Sequence, residues 1–363
     1  MRVLVLGQTP PPVHGQAVAI EALVRGPLDG VEVTHIRMSY SREAGEIGRF
    51  GLGKVGHLAA LVGRSWLALA RDRQLVLYYP PGSTLMPVLR DVVFLSLVRP
   101  MARATVLHFH AGGASRFVER RGWLRGLARR ALGGADAAIH LLPSATPDGQ
   151  YFGARQVFHV PNGLDVPRAR RGRSDDIFRL LFVGLHTESK GVRLVIRAVA
   201  ALRRRGVPCE AQLVGEWCDA AEETACRRLV GELDLASHVV FRGRLDGQAK
   251  WKAYADADVF FFPTFYEAEL MPLVIIEAMA QGLPVVASRW RCIPDVVQDG
   301  VTGHLFPARD LDAAADLLAD LHQHPDRRRD QGHAGRARYE QHYTLDRHLA
   351  AMSTVFQQIG GRL

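Results

Sequence analysis

Short apolar runs alternate with longer stretches of helical period along almost the whole chain. Val3–Leu6, Val31–Ile36, Leu75–Tyr79, Thr105–Phe109, Ala137–Leu141 and Gln156–Val160 read as buried strands. A second set follows at Leu180–Val183, Ala211–Val214, Val239–Arg242, Val259–Phe262, Pro284–Ala287 and Gly303–Phe306. Near-continuous apolar strands separated by helices indicate parallel sheets covered on both faces. The fold class is therefore α/β, with one doubly wound sheet in each half of the chain. Pro167–Asp176, rich in Arg, Asp, Gly and Pro, reads as the linker. That places one domain at residues 1–166 and a second at 177–341, with a last helix within 342–363. In such sheets ligands bind at the carboxyl ends of the strands.

Composition narrows the class. The chain has 363 residues, 48% apolar and 23% charged, as in globular proteins. Its longest apolar runs, such as 91–99, are too short for a bilayer, which takes about 20 residues. No small-residue cleavage site follows the strand Met1–Gly7, so a signal peptide is not expected. Cys209, Cys218, Cys226 and Cys292 have no metal-like or redox-like spacing and read as reduced thiols of a cytoplasmic protein.

The net charge of +9 is uneven. Residues 1–165 hold 19 Lys and Arg against 11 Asp and Glu, a balance of +8. Residues 166–363 hold 27 against 26, a balance of +1. Six arginines fall within Ser115–Leu132, interleaved with Phe117, Trp123, Leu124 and Leu127. This segment reads as one basic amphipathic helix. An anionic membrane surface and a merely solvated face both fit it. No nucleic-acid-binding module is present.

The chemistry concentrates in Pro263–Ala280, which reads as strand end, loop and helix start. Pro272 suits a helix start, because its missing N–H costs nothing there. Glu269 would lie just before the helix and Glu277 more than a turn inside it. A helix N-terminus offers free N–H groups and partial positive charge, and so accepts an anion. An anion flanked by two carboxylates that accept hydroxyl groups suits a sugar nucleotide.

The string Glu269-x7-Glu277, continuing as Glu277-Ala278-Met279-Ala280-Gln281-Gly282-Leu283-Pro284-Val285-Val286-Ala287, resembles the signature of retaining GT-B glycosyltransferases of family four. Met271-Pro272 stands where the family usually has Phe-Gly. Phe182-Val183-Gly184 with Lys190-Gly191 resembles the family's Val-Gly-Arg-Leu-x-x-x-Lys-Gly string, with Leu185 in the Arg position. His186 and an Arg of the first domain are the candidate substitutes for that Arg. Pro161-Asn162-Gly163-Leu164-Asp165 resembles the family's junction.

The resemblance implies two Rossmann-like domains facing across a cleft, with an acceptor domain first and a nucleotide-sugar domain second. It also implies that the last helix crosses back to the first domain. The implied reaction moves a sugar from a nucleoside-diphosphate donor, UDP or GDP, to an acceptor hydroxyl with retention. By the same resemblance, Glu277 takes the ribose hydroxyls and Glu269 the donor sugar. Backbone N–H groups around Met271 and Leu273 join Glu269 on the sugar, Lys190 takes the diphosphate, and Gly184 and Pro272 belong to the same donor site. Gly215, Arg244 and Leu245 line the base. Gly15, after His14, belongs to the first loop, and His110 steadies the sugar near its anomeric carbon, with His108 second.

No cofactor and no metal is expected. Asp256-Ala257-Asp258 reads as capping and solvated aspartates rather than a metal motif. A lipid-linked or cell-surface polysaccharide precursor is the expected acceptor, met at the inner membrane face. The rival readings are a GT-B sugar-nucleotide epimerase and a nucleotide-sugar-binding protein without catalysis.

Overall fold

The computed structural model describes residues 1–11, 15–38, 52–170, 172 and 176–361. Contacts divide the chain into two units. Unit 1 is residues 1–163 with 345–363, and unit 2 is residues 164–344. The segment expected as a linker is tied to unit 2 where it is described. Gln281 bonds the carbonyl of Pro167 and the N–H of Ala169, and Asp256 accepts from Gly172 N.

Unit 1 holds a six-stranded parallel sheet in the order β2-β1-β3-β4-β5-β6. Its strands are β1 Arg2–Gly7, β2 Glu32–Arg37, β3 Val76–Tyr79, β4 Ala104–Phe109, β5 Ala137–His140 and β6 Val157–His159. Its helices are α1 Gly15–Arg25, α2 Leu52–Arg71, α3 Leu85–Val98, α4 Ala114–Glu119, α5 Gly122–Leu132 and α6 Asp148–Tyr151. The last helix of the chain, α14 Leu345–Gly360, also packs here.

Strand alternation builds two cores from one strand. On β1, Leu4 and Leu6 enter the core under α2, α3, α4 and α5. Val3 and Val5 enter the opposite core, with Ile20 and Leu23 of α1 and Met352, Val355 and Phe356 of α14. Both strand faces are covered, which is why the run is continuously apolar.

The segment Ser115–Leu132 is not one helix. It breaks into α4 and α5 at Arg121, whose φ of −126° and ψ of 79° are not helical. Arg121 stacks on Phe117 with its guanidinium 4.0 Å from the ring centre. The glycine that follows, Gly122, is a weak helix former and opens α5.

Unit 2 holds the second parallel sheet, in the order β12-β11-β10-β7-β8-β9. Its strands are β7 Phe178–Val183, β8 Cys209–Val214, β9 Val239–Gly243, β10 Val259–Phe262, β11 Val285–Ser288 and β12 Gly303–Phe306. The helices are α7 Val192–Arg204, α8 Ala220–Glu232, α9 Gly247–Ala255, α10 Leu273–Ala280, α11 Ile293–Val296, α12 Leu311–Gln323 and α13 Pro325–His342. On α7, buried Val192, Val195, Ile196, Val199 and Leu202 repeat at helical spacing, and Arg203 and Arg204 suit its C-terminal dipole. α10 is buried almost all round, from Ile275 to Ala280, because it lies between the sheet and α13.

In both sheets the strand order reverses once, between β1 and β3 in unit 1 and between β7 and β10 in unit 2. Such a reversal opens a crevice at the carboxyl ends of the two strands.

Candidate functional site

In unit 2 the reversal point gathers the residues that the sequence singled out. β7 ends into Gly184 and a short 3-10 turn, Glu188–Lys190. β10 ends into Pro263 and the loop that carries Glu269. Gly191, at φ 89°, lets these two segments touch: a Cβ there would meet the carbonyl oxygen of Pro263 at 2.3 Å. The contact sets Lys190 beside the β10 loop. Lys190 Nζ stands 2.5 Å from Glu269 Oε2. The same ammonium lies over the rings of Tyr266 at 4.7 Å and Phe262 at 5.7 Å. Glu269 is 8% exposed, and Thr264 Oγ1 supplies a longer contact at 3.4 Å.

The loop itself is tied down on several sides. Phe265 N donates to the Ser189 carbonyl at 2.7 Å, and Trp290 Nε1 donates to the Tyr266 carbonyl at 2.8 Å. Arg291, at φ 49°, ion-pairs with Glu267, and Arg309, at φ 69°, lies over Phe265 at 4.1 Å. Two non-glycine residues in left-handed backbone conformations thus hold one loop. Such conformations persist only where the surroundings over-determine them.

α10 starts at Leu273 with Pro272 as its N-cap, and Met271 and Pro272 are buried. Its first turn presents backbone N–H groups without helical partners. Glu277, 7% exposed, is two-sided: Lys250 Nζ lies 2.6 Å from Oε1, and Tyr254 donates its hydroxyl to Oε2 at 2.7 Å. Burial, with the Glu277 charge beside it, raises the Tyr254 hydroxyl well above its ordinary range, so it stays a donor. Sequence reasoning missed this pair. The signal was present, since Lys250 and Tyr254 are one turn apart and share a face of α9.

The loops after β8 and β9 are joined by Arg244, which pairs with Asp246 at 2.8 Å and Glu216 at 3.7 Å. Leu245 is half-buried beside it. Gly215, at φ 150°, brings the β8 end against Gly184, whose oxygen a Cβ would meet at 1.9 Å.

His186 does not replace the family's Arg. It is fully buried against Trp217 at 4.5 Å, with Phe182 and Phe241 nearby, and neither ring nitrogen has a partner. Burial pushes its pKa down to about 4, so it offers no positive charge near neutrality. The reading of Asp258 as solvated is also corrected. It is 4% exposed and accepts from Arg179 N at 2.9 Å, pinning β7 to the β10 lead-in. Asp256 accepts from Gly172 N and pairs with Lys252.

In unit 1, His108 and His110 share a face at the end of β4, their ring centres 3.9 Å apart. The Tyr78 hydroxyl reaches His108 Nδ1 at 2.6 Å and His110 Nε2 at 3.3 Å. A hydroxyl has one proton, so it donates to one ring and accepts from the other. Burial first, then neighbouring His110, His348 and His140, lower the His108 pKa well below its ordinary value. The N-terminus of α4, which follows His110, is already filled. Asp148, fully buried, accepts from Gly113 N at 3.0 Å and Ser115 N at 2.7 Å. Gly15 is the first residue of α1, and His14 lies outside the described residues.

Comparison with known proteins gives these features a context. The whole chain superposes on a sucrose-phosphate synthase from Thermosynechococcus elongatus, with a TM-score of 0.74 at 20% identity and 100% of both chains covered. It also superposes on HepE of Anabaena, solved with UDP and glucose, with a TM-score of 0.75 at 18% identity over 99% of this chain and 100% of that one. The fold is therefore GT-B.

Residues 177–324 match the model of the glycosyl transferases group 1 family. A GDP-mannose-dependent alpha-(1-6)-phosphatidylinositol monomannoside mannosyltransferase from Mycolicibacterium smegmatis is 31% identical over 204 residues, 52% of this chain and 51% of the relative. The amylovoran biosynthesis glycosyltransferase AmsK of Erwinia amylovora is 35% identical over 150 residues, 40% of this chain and 36% of the relative. The chain spans about half, or less, of the length of these curated relatives. The fold is thus that of GT-B glycosyltransferases and the second unit carries the group 1 match, in line with the resemblance read from Glu269–Ala287.

Proposed function

We propose that the protein is a retaining glycosyltransferase that moves a sugar from a nucleoside-diphosphate sugar to an acceptor hydroxyl, with no metal ion in the chemical step. One observation carries the reading: Lys190 and Glu269 meet at the β7/β10 reversal, with Glu277 about one turn into the following helix. In the free protein Lys190 and Glu269 neutralise each other. A donor entering between them gives its diphosphate to Lys190 and its sugar hydroxyls to Glu269. The first turn of α10 supplies further donors to the phosphates. Glu277, held by Lys250 and Tyr254, keeps its remaining lone pairs for the ribose hydroxyls.

As the bond from the anomeric carbon to the phosphate oxygen breaks, charge develops on the diphosphate. Lys190 and the helix end are aimed at that charge before the reaction starts, and such preorganised groups lower the barrier most. The acceptor hydroxyl attacks from the same face, and its proton passes to the departing phosphate oxygen. Configuration is therefore retained without an enzymic nucleophile. In this scheme His110, oriented by Tyr78, steadies the sugar near the anomeric carbon.

The relatives' names support both candidate bases, GDP for the mannosyltransferase and UDP for HepE. A lipid-linked acceptor at the inner membrane face is supported by a relative named for phosphatidylinositol monomannoside. No helix among the described residues is long and apolar enough to cross a membrane, so such an acceptor would be met from the surface.

The test is a melting-temperature panel with UDP, GDP, ADP, CMP and TDP on the wild type and Glu277→Ala. A ligand at a hundred times its Kd adds about 2.7 kcal/mol to the folded state. The expected result is a rise with UDP or GDP that the variant loses. No rise with any of the five sinks the reading.

A further inference from the structure

The outer face of the α2, α3 and α5 layer in unit 1 is apolar where a solvated layer is ordinarily polar. Trp66 and Leu67 on α2, Val93 and Leu97 on α3, and Trp123 and Leu127 on α5 are between 41% and 64% exposed. Val93 and Leu97 are one turn apart, as are Trp123 and Leu127, so each pair stands on one side of its helix. Trp66 Nε1 donates to the Leu97 carbonyl at 2.9 Å, joining α2 to the end of α3. Arg99, just beyond α3, donates to the carbonyls of Ala131 and Gly133, joining that end to the end of α5. The exposed side chains therefore run across three neighbouring helices instead of standing singly, and an extended apolar surface marks an interaction site. The inner faces of the same helices are well packed, with Leu61, Leu69, Val92, Leu95, Leu124 and Ala128 in the core. The exposure is thus not the sign of a loose layer.

The charge on these helices has one sign. Arg64 and Arg71 on α2 and Arg125, Arg129 and Arg130 on α5 are exposed. The one carboxylate within the three helices is Asp91, which is 0% exposed. It accepts from the Tyr79 hydroxyl, from Gly82 N and from Arg90 Nε at 2.6–2.7 Å. Among the described residues of these helices, then, every exposed charge is positive. Surfaces adapted to water alone mix both signs.

We propose that this face lies on an anionic lipid bilayer, with Trp66 and Trp123 at the headgroup level and the arginines on the lipid phosphates. Tryptophan prefers that boundary, and exposed arginines gain from the negative surface potential. A second copy of the chain fits less well, since it would set like charges face to face. The inference deepens the transferase reading, because a lipid-borne acceptor is presented at such a surface. Its test nevertheless reads binding rather than transfer.

The experiment is flotation of the full chain with vesicles of phosphatidylcholine alone and of phosphatidylcholine mixed with phosphatidylglycerol. The wild type is expected to float with the anionic vesicles at low salt, to stay behind with the neutral ones, and to be released as salt screens the contact. Arg125→Glu with Arg130→Glu should lower the bound fraction more than about ten-fold. Trp123→Ala with Leu127→Ala should lower it several-fold. Both pairs should keep the melting temperature and the nucleoside-diphosphate shift of the wild type.

Absence of flotation at low salt, or unchanged flotation of both folded variants, overturns the proposal. So does a concentration-dependent dimer that Trp123→Ala abolishes, which would give the face to a second copy. Flotation that persists in a protein showing no diphosphate shift would sink the transferase reading and leave this one standing.

Discussion

At the carboxyl edge of the unit 2 sheet carboxylates meet lysines, whereas at that of unit 1 two histidines share a tyrosine hydroxyl. Glu269 has Lys190, and Glu277 has Lys250 and Tyr254. His108 and His110 share the Tyr78 hydroxyl, and Asp148 is spent on the α4 N-terminus. The contrast matches the chemistry proposed for each edge. A diphosphate and sugar hydroxyls call for charge of both signs held in place before they arrive. Burial holds the His108 ring neutral, so it offers shape and hydrogen bonds with little field. The positive excess of unit 1 lies partly elsewhere, on the outer face of α2 and α5.

Breaking the geometry behind the unit 2 pairs should have the largest effect. Gly191→Ala forces a left-handed residue and a clash with the Pro263 carbonyl. The left-handed strain costs about 1–2 kcal/mol and the overpacking about 1–3 kcal/mol more. Urea unfolding should show that loss, and the nucleoside-diphosphate shift should weaken as Lys190 moves from Glu269. Stability within 0.5 kcal/mol of wild type (about the noise of a surface substitution) would show that the close approach is not needed.

Acid sharpens the comparison of neutral histidines. His186 has a folded pKa of about 4 against an unfolded value near 6.5. Above pH 6.5 both states are neutral and its contribution is intact. As pH falls from 6.5 toward 4 the unfolded state takes up the proton first, and about 3 kcal/mol is lost. His140 in unit 1 is lowered to about 4 by burial and then by His159, and it accepts a hydrogen bond from Gly149 N. His186→Phe, which leaves no polar atom unpaired among Phe182, Trp217 and Phe241, should flatten the acid limb of the melting curve. His140→Phe should flatten it too, but at the cost of that hydrogen bond at neutral pH. An unchanged acid limb in His186→Phe would remove His186 from the account.

The smallest effect expected is that of Tyr254→Phe. A hydrogen bond to a charged group contributes about 1.5–3 kcal/mol. Loss of the hydroxyl leaves Glu277 on Lys250 alone, so stability should fall within that range. The nucleoside-diphosphate shift should fall with it while the fold is kept. A full shift in a variant of normal stability would make Tyr254 incidental to the site.

What the sequence by itself determined is the part that depends on local pattern. The twelve strands of the described residues were all legible: the inner ones are apolar runs buried on both faces, and the more exposed edge strands β2, β6 and β9 still stand between turn residues. β10, α10 and the positions of Glu269 and Glu277 followed from the same run and from Pro272 as a helix start. Tertiary structure decided the partners. Lys190 and Glu269 are 79 residues apart in sequence and meet because the strand order reverses between β7 and β10. His186, polar and next to the expected Arg position, is turned into the core by Trp217, and nothing in the local sequence reports that packing. Periodicity states which side of an element is buried, but contacts between distant segments settle what each buried polar group finds there.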